Sequence, residues 1–319
     1  MIKILILVTI ILIIISLLVA LHIMNVEAFK QTELKTRKDK DMAFNALKKI
    51  NMFDSKIYLE ENIEEVTIKS KDNYKLKGYF IEKFKGCNRY VIIIHGYSCN
   101  HYSSMAFCRM FLNKGFNILV VDSRSHGESE GDYATYGYYE KDDIDLWIEE
   151  IKRRTKTKDV FLGLHGQSMG AATALIVAGN NETVKFVIDD CGFSSAKDCI
   201  IFTIGKYKYV PCKLIYKMLH RKLIKLANFD LEESNPINEI VKRKDLPVLF
   251  VHGVKDQKVP YKMAQEMYNK KQGKNDILFL VNDAIHMNCY GVARKKYEEK
   301  VYKIIDNAEK IYKSKDQNL

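Results

Sequence analysis

Val160-Phe161-Leu162-Gly163-Leu164-His165-Gly166-Gln167-Ser168-Met169-Gly170-Ala171-Ala172-Thr173-Ala174-Leu175 passes from a strand-like run to a helix-like one through a glycine-flanked serine. Val160–Leu164 is short, apolar and β-branched or aromatic enough for a buried strand, and Ala171–Leu175 opens a helix. Gly166-Gln167-Ser168-Met169-Gly170 between them matches G-x-S-x-G. In such a strand-to-helix turn the serine takes a strained backbone conformation that projects its hydroxyl out of the sheet. Side chains at the two glycine positions would collide with neighbouring backbone. The pentapeptide alone is a weak signal; its place between a buried strand and an alanine-rich helix makes it a strong one.

Outward from this turn the same rhythm repeats. Tyr90–Ile94, Asn117–Val121, Lys185–Ile188, Val248–Val251 and Ile277–Val281 are apolar runs, each followed by a polar turn and a helix-like stretch. That alternation predicts a mostly parallel sheet covered by helices on both faces. Ahead of it, Glu65–Lys69 and Tyr74–Phe84 alternate about Lys71-Asp72-Asn73 and read as an antiparallel hairpin. Functional residues of such sheets gather at the carboxyl ends of the strands. About sixty residues after Ile188 lack a strand-like run; the stretch at about 193–245 is expected to be a helical cap insertion, with a helical stretch from about Lys197 to Ala227.

A serine hydroxyl needs a base to become a nucleophile. His286 follows the last strand and is assigned that role, with Asp256, after Val248–Val251, as the carboxylate that orients it. Asp245 and Asp283 are the alternatives to Asp256. His95, His165 and His252 are read as structural or pocket-lining. Tyr90–Ile94 runs into His95-Gly96-Tyr97, and the backbone amides of Tyr97 and Met169 are assigned as oxyanion donors.

With these residues in place the chain resembles the α/β-hydrolase superfamily, in particular the bacterial group of serine aminopeptidase and monoglyceride-lipase-like hydrolases. The resemblance spans roughly residues 60–310. It rests on His95-Gly96-Tyr97, Asp122-Ser123-Arg124-Ser125-His126-Gly127-Glu128-Ser129, Gly166–Gly170, His252-Gly253 with Asp256 and Val259-Pro260, and His286. Ser125 stands where the family's D-x-R-G-H-G-x-S segment has glycine. Tyr138–Trp147 looks like the helix after that segment, with Asp143 and Trp147 as packing residues. The resemblance implies an acyl-transfer mechanism without cofactor or metal; it names no substrate.

The amino terminus adds a location. Ile4–Ile23 is almost wholly Ile, Leu and Val, and about twenty residues span roughly 30 Å as a helix, the thickness of a bilayer core. No small-residue cleavage site follows, so an uncleaved transmembrane anchor is expected over 1–24. A charged stalk over 25–55, touching the domain through Met42, Leu47 and Ile50, would precede the hydrolase domain at 56–319. Lys30, Lys35, Arg37, Lys38 and Lys40 follow the span and only Lys3 precedes it, which favours a cytoplasmic domain.

Net charge is +11 over 319 residues, with 51 basic and 40 acidic side chains. No nucleic-acid recognition motif accompanies it, so nucleic acid is not an expected partner. The seven cysteines form no C-x-x-C pair, which argues against a disulfide framework or zinc site and favours a reducing compartment. From Cys199 to Phe229 there is no acid, but there are Lys206, Lys208, Lys213, Lys217, Arg221, Lys222 and Lys225, interleaved with apolar residues including Tyr207 and Tyr209. This basic amphipathic stretch either roofs the pocket or lies on an anionic bilayer. The expected activity is hydrolysis of an ester or thioester of a small or acylated, amphiphilic substrate. The alternatives are an aminopeptidase-like peptidase, whose ammonium site Glu232 or Glu233 could supply, and a membrane-tethered binding protein on a retired hydrolase fold.

Overall fold

The computed structural model describes residues 1–30, 39–206 and 211–316; Lys35, Arg37, Lys38, Tyr207, Lys208 and Tyr209 lie outside them. The chain begins with α1 (Ile2–Lys30), α2 (Lys40–Lys49), α3 (Lys56–Glu60), β1 (Glu64–Lys69), β2 (Lys75–Ile81) and β3 (Arg89–Ile94). There follow α4 (His101–Ser104), α5 (Cys108–Leu112), β4 (Asn117–Val121), α6 (Glu140–Thr155), β5 (Phe161–Gln167) and α7 (Met169–Asn180). The remainder is β6 (Val184–Asp190), α8 (Ala196–Ile204), α9 (Cys212–Ala227), α10 (Pro236–Ile240), β7 (Val248–Gly253), α11 (Lys262–Lys271), β8 (Ile277–Val281) and α12 (Cys289–Asp316).

The strands form one eight-stranded sheet in the order β1-β2-β4-β3-β5-β6-β7-β8. β2 pairs antiparallel with both β1 and β4, and the other pairings are parallel. This is the α/β-hydrolase arrangement. The hairpin and all six apolar runs form strands as the sequence pattern predicts, because strands buried on both faces must be apolar throughout.

Two apolar layers sandwich the sheet. One packs α12 and Phe107, Phe111 and Phe116 against one face, and the other packs Trp147 of α6 with α7, α10 and α11 against the opposite face. α7 is buried from Met169 to Gly179, and its small residues let it lie close beneath the sheet. α6 carries Glu140, Asp142 and Asp143 in its first turn and Lys152, Arg153 and Arg154 in its last, which suits the helix dipole.

The helical stretch expected from about Lys197 to Ala227 holds two helices, α8 and α9. Gly205 closes α8, and Pro211 stands immediately before α9, where a proline cannot extend the preceding helix. A third apolar cluster joins α8 and α9 to Met169, Phe193, Val259 and Phe29. At the amino terminus α1 is continuous to Lys30, and Ile2–Ile23 is long and apolar enough to cross a membrane, with mean hydropathy 3.5. Beyond it Leu47 is buried and Ile50 packs on the core, whereas Met42 is largely exposed.

Candidate active site

β5 ends in the turn that holds Ser168, whose φ is +52°, a conformation that costs an L-residue energy and aims its side chain away from the sheet. A Cβ at Gly166 would lie 2.3 Å from the carbonyl oxygen of Gly170, and one at Gly170 would lie 2.3 Å from that of Ile94. Both contacts are with backbone, so neither position admits a side chain. The Ser168 N–H donates to Asp190 O at 2.8 Å, which fastens the turn to the end of β6.

Three strand ends converge on this serine. Ser168 Oγ donates to His286 Nε2 at 2.9 Å, and His286 Nδ1 donates to Asp256 Oδ2 at 2.6 Å. The other carboxylate oxygen of Asp256 accepts from the amides of Lys258 and Val259 at 2.7 and 3.0 Å. Burial opposes the Asp256 charge, but hydrogen bonds from His252, His286 and the Val259 amide outweigh it. Its carboxyl is held well below the usual carboxylate range. Asp283 pairs with Lys255 at 2.8 Å and Asp245 with Arg243 at 3.2 Å, so neither alternative acid is joined to His286.

Of the two amides assigned to an oxyanion, that of Met169 directly follows the serine, and a Cβ at Gly96, the residue before Tyr97, would lie 3.2 Å from Gln167 O. Met169 is the first residue of α7, where a helix leaves its amides without intrahelical acceptors. The loop bearing Tyr97 is fixed by two histidines. His95 donates from Nδ1 to Gly96 O at 2.7 Å and accepts at Nε2 from the Ser123 amide at 3.0 Å. His126 donates from Nδ1 to Arg124 O at 2.8 Å and accepts at Nε2 from the Ser98 amide at 3.2 Å. Burial, aided by the nearby His126, pushes His95 down to about 3, so it stays neutral and keeps this acceptor. Ser125 has φ +61°, which accounts for the family's glycine at its position.

α8 covers the site. The charge of Asp256 acts on the Cys199 thiol, and Lys206 donates to Gln257 O beside the acid. Ser168 is only 7% exposed.

Behind the serine lies a polar cluster that the sequence reading passed over. Tyr297 Oη donates to Asp190 Oδ2 at 3.0 Å and lies 2.9 Å from His165 Nε2. His252 Nε2 lies 3.2 Å from Asp256 Oδ2 and 3.0 Å from Val259 O, so that nitrogen carries a proton and joins His252 to the acid. Asp189 Oδ2, Asp190 Oδ1 and His252 Nδ1 are buried with no partner among the described residues. The signal was legible, since Val184–Ile188 ends in two acids at the carboxyl end of a buried strand.

Burial pushes Asp189 and Asp190 each up to about 7. An unfolded chain ionises such groups near 3.8 while the native state resists, so their contribution to stability is complete below pH 3.8 and is lost as pH rises toward 7. Asp190→Asn is therefore expected to gain on wild type between pH 4 and pH 8, by about 4 kcal/mol, the free-energy equivalent of moving a carboxyl from 3.8 to about 7. Thermal unfolding at a series of pH values measures this, and a difference independent of pH would contradict it.

Cys191, Asp256 and His286 offer atoms within 4.8 Å of one another, the metal-ligand-like group found among the described residues. Asp256 and His286 are engaged with each other and burial raises the Cys191 thiol well above its ordinary range, a poor donor set for an ion.

Comparison with known proteins agrees with this architecture. Residues 87–189 match the Hydrolase_4 family, described as serine aminopeptidase, S33. The uncharacterized protein YqkD of Bacillus subtilis is 30% identical over 242 residues, covering 75% of this chain and 78% of YqkD. The putative esterase YitV of the same organism is 24% identical over 198 residues, 56% of this chain and 72% of YitV. The esterase Pf2001 of Pyrococcus furiosus superposes with a TM-score of 0.63 at 23% identity, over 80% of this chain and 95% of its own.

Proposed function

This chain belongs to the α/β-hydrolases of the serine aminopeptidase S33 family, and on that premise we propose that it is a membrane-anchored serine hydrolase cleaving a carboxylic ester or thioester. The observation that carries the reading is the hydrogen-bonded line from Ser168 Oγ through His286 to Asp256. Ser168 Oγ attacks the acyl carbon while His286 Nε2 takes its proton. The amides of Tyr97 and Met169 receive the oxyanion. Collapse expels the alcohol or thiol, which leaves with the proton from His286, and water repeats the sequence on the acyl-enzyme.

An apolar acyl group suits the aromatic and aliphatic residues between α8 and the turn, among them Tyr97, Tyr136, Phe193 and Ile200. Esterases among the relatives and structural neighbours support a small-molecule ester. An aminopeptidase needs an acid for the substrate ammonium, and Glu232 is already paired with Lys197 at 2.9 Å. We read 1–24 as the anchor, 25–55 as the stalk, 56–319 as the hydrolase domain and α8–α9 as its cap. The basic residues that follow α1, and seven cysteines without a disulfide, support a cytoplasmic face.

The test is hydrolysis by the full chain of p-nitrophenyl esters of graded acyl length beside aminoacyl-nitroanilides. Esters are expected to be cleaved with a preference for medium or long chains. Faster cleavage of the anilides would replace the esterase reading with a peptidase one.

A further inference from the structure

α1 does not leave the bilayer and swing free; it packs against α9. Leu21, still within the apolar run, is buried, and so is Phe29 two turns on. Phe29 sits in the cluster of Tyr216, Leu219 and Leu223, with Lys222 Nζ 4.1 Å from its ring centre. Phe29 lies six residues past Ile23, the end of the apolar run, so its contact places α9 close to where the hydrocarbon of a spanned bilayer would end.

The face of α9 turned away from the domain has an unusual make-up. Lys213, Lys217, Arg221 and Lys225 are exposed along it, and they recur at a spacing that keeps them on one side of a helix. Leu214 and Ile224 are each 46% exposed among them. The ion pairs formed by α9 and its neighbours among the described residues are His220–Asp230 and Lys197–Glu232, and neither uses these cations. A face made only for water would carry the charges but not the two aliphatic side chains. Headgroup-level insertion uses both, because the stems, Leu214 and Ile224 enter the interface while the cations meet lipid phosphates.

We propose that this face of α9 docks on an anionic phospholipid surface. The proposal rests on the reading of α1 as a membrane anchor, and it deepens that reading. The tether brings the α9 face to the bilayer, and the docked α9 presents the roof of the Ser168 site to lipid. An acylated amphiphile then has a short path from the membrane to the serine, under α8.

The chain's one tryptophan, Trp147, is buried and serves as an internal reference. The full chain is reconstituted in vesicles of phosphatidylcholine, alone or mixed with phosphatidylglycerol, with brominated acyl chains that quench nearby indoles. Leu214→Trp reports on α9 and Leu12→Trp on the span. With anionic lipid, the added emission of Leu214→Trp is expected to be at least halved, and the quenching to disappear when Lys213→Glu, Lys217→Glu and Arg221→Glu are added. Leu12→Trp is expected to be quenched in every vesicle. Quenching of Leu12→Trp without quenching of Leu214→Trp overturns the docking and leaves the anchor standing. Quenching of Leu214→Trp that ignores both lipid charge and the substitutions overturns the electrostatic basis. Failure to quench Leu12→Trp overturns the anchor reading itself.

Discussion

Ser168→Ala is expected to lower kcat for a p-nitrophenyl ester by on the order of 10⁴- to 10⁶-fold, with no comparable loss of thermal stability. The size follows from the geometry. Ser168 Oγ is the atom joined to His286 Nε2, and His286 is joined in turn to Asp256. Residues that act as one unit fail as one unit. The double variant Ser168→Ala/His286→Ala should therefore be no slower than Ser168→Ala within about threefold, although independent contributions would multiply. Labelling by a fluorophosphonate should vanish in both. Retention of most of the ester activity in Ser168→Ala would show that another group performs the chemistry.

Arg124→Met is expected to have the largest effect on stability, about 3–5 kcal/mol, or a fall in Tm of roughly 10 °C. Arg124 grips Asp143 through a fork, Nε to Oδ2 and Nη2 to Oδ1, both at 2.7 Å, and the two side chains are buried. Removal of the guanidinium leaves the Asp143 charge without its partner inside the protein. The cost arises from that orphan rather than from the pair itself. Arg124→Met/Asp143→Leu should accordingly recover much of the loss, as replacement of a whole buried pair often does. Equal destabilisation by the single and double variants would mean that packing, not charge, is at stake. The site should respond too, because Arg124 O accepts from the His126 imidazole that holds the Ser98 amide beside Tyr97. A reduced kcat in the single variant under conditions where it remains folded is the expected sign.

Ser168, His286 and Asp256 are 118 and 30 residues apart along their two hydrogen bonds, yet each could be picked from the chain. The reason is local: each follows a buried apolar strand, and the sheet's topology carries strand ends to one edge whatever the loops do. The same logic separated Asp256 from Asp245 and Asp283 only in part, since all three lie near strand ends and choice among them requires a distance. The break between α8 and α9 was harder to read, because Lys197–Ala227 stays apolar and basic throughout and its only interruption is Gly205 and Pro211.

Sequence alone determined the sheet, the strand-to-helix turn at Ser168 and the apolar segment at Ile4–Ile23, because periodicity, glycine sterics and hydrophobic length act over a few residues. Tertiary structure decided what lies far apart in the chain. It joined His252 to Asp256, buried Asp189 and Asp190 behind Ser168, paired Arg124 with Asp143, and laid α9 against α1. Those depend on which surfaces meet once the layers pack, and a one-dimensional pattern records which residues must be buried but not against whom.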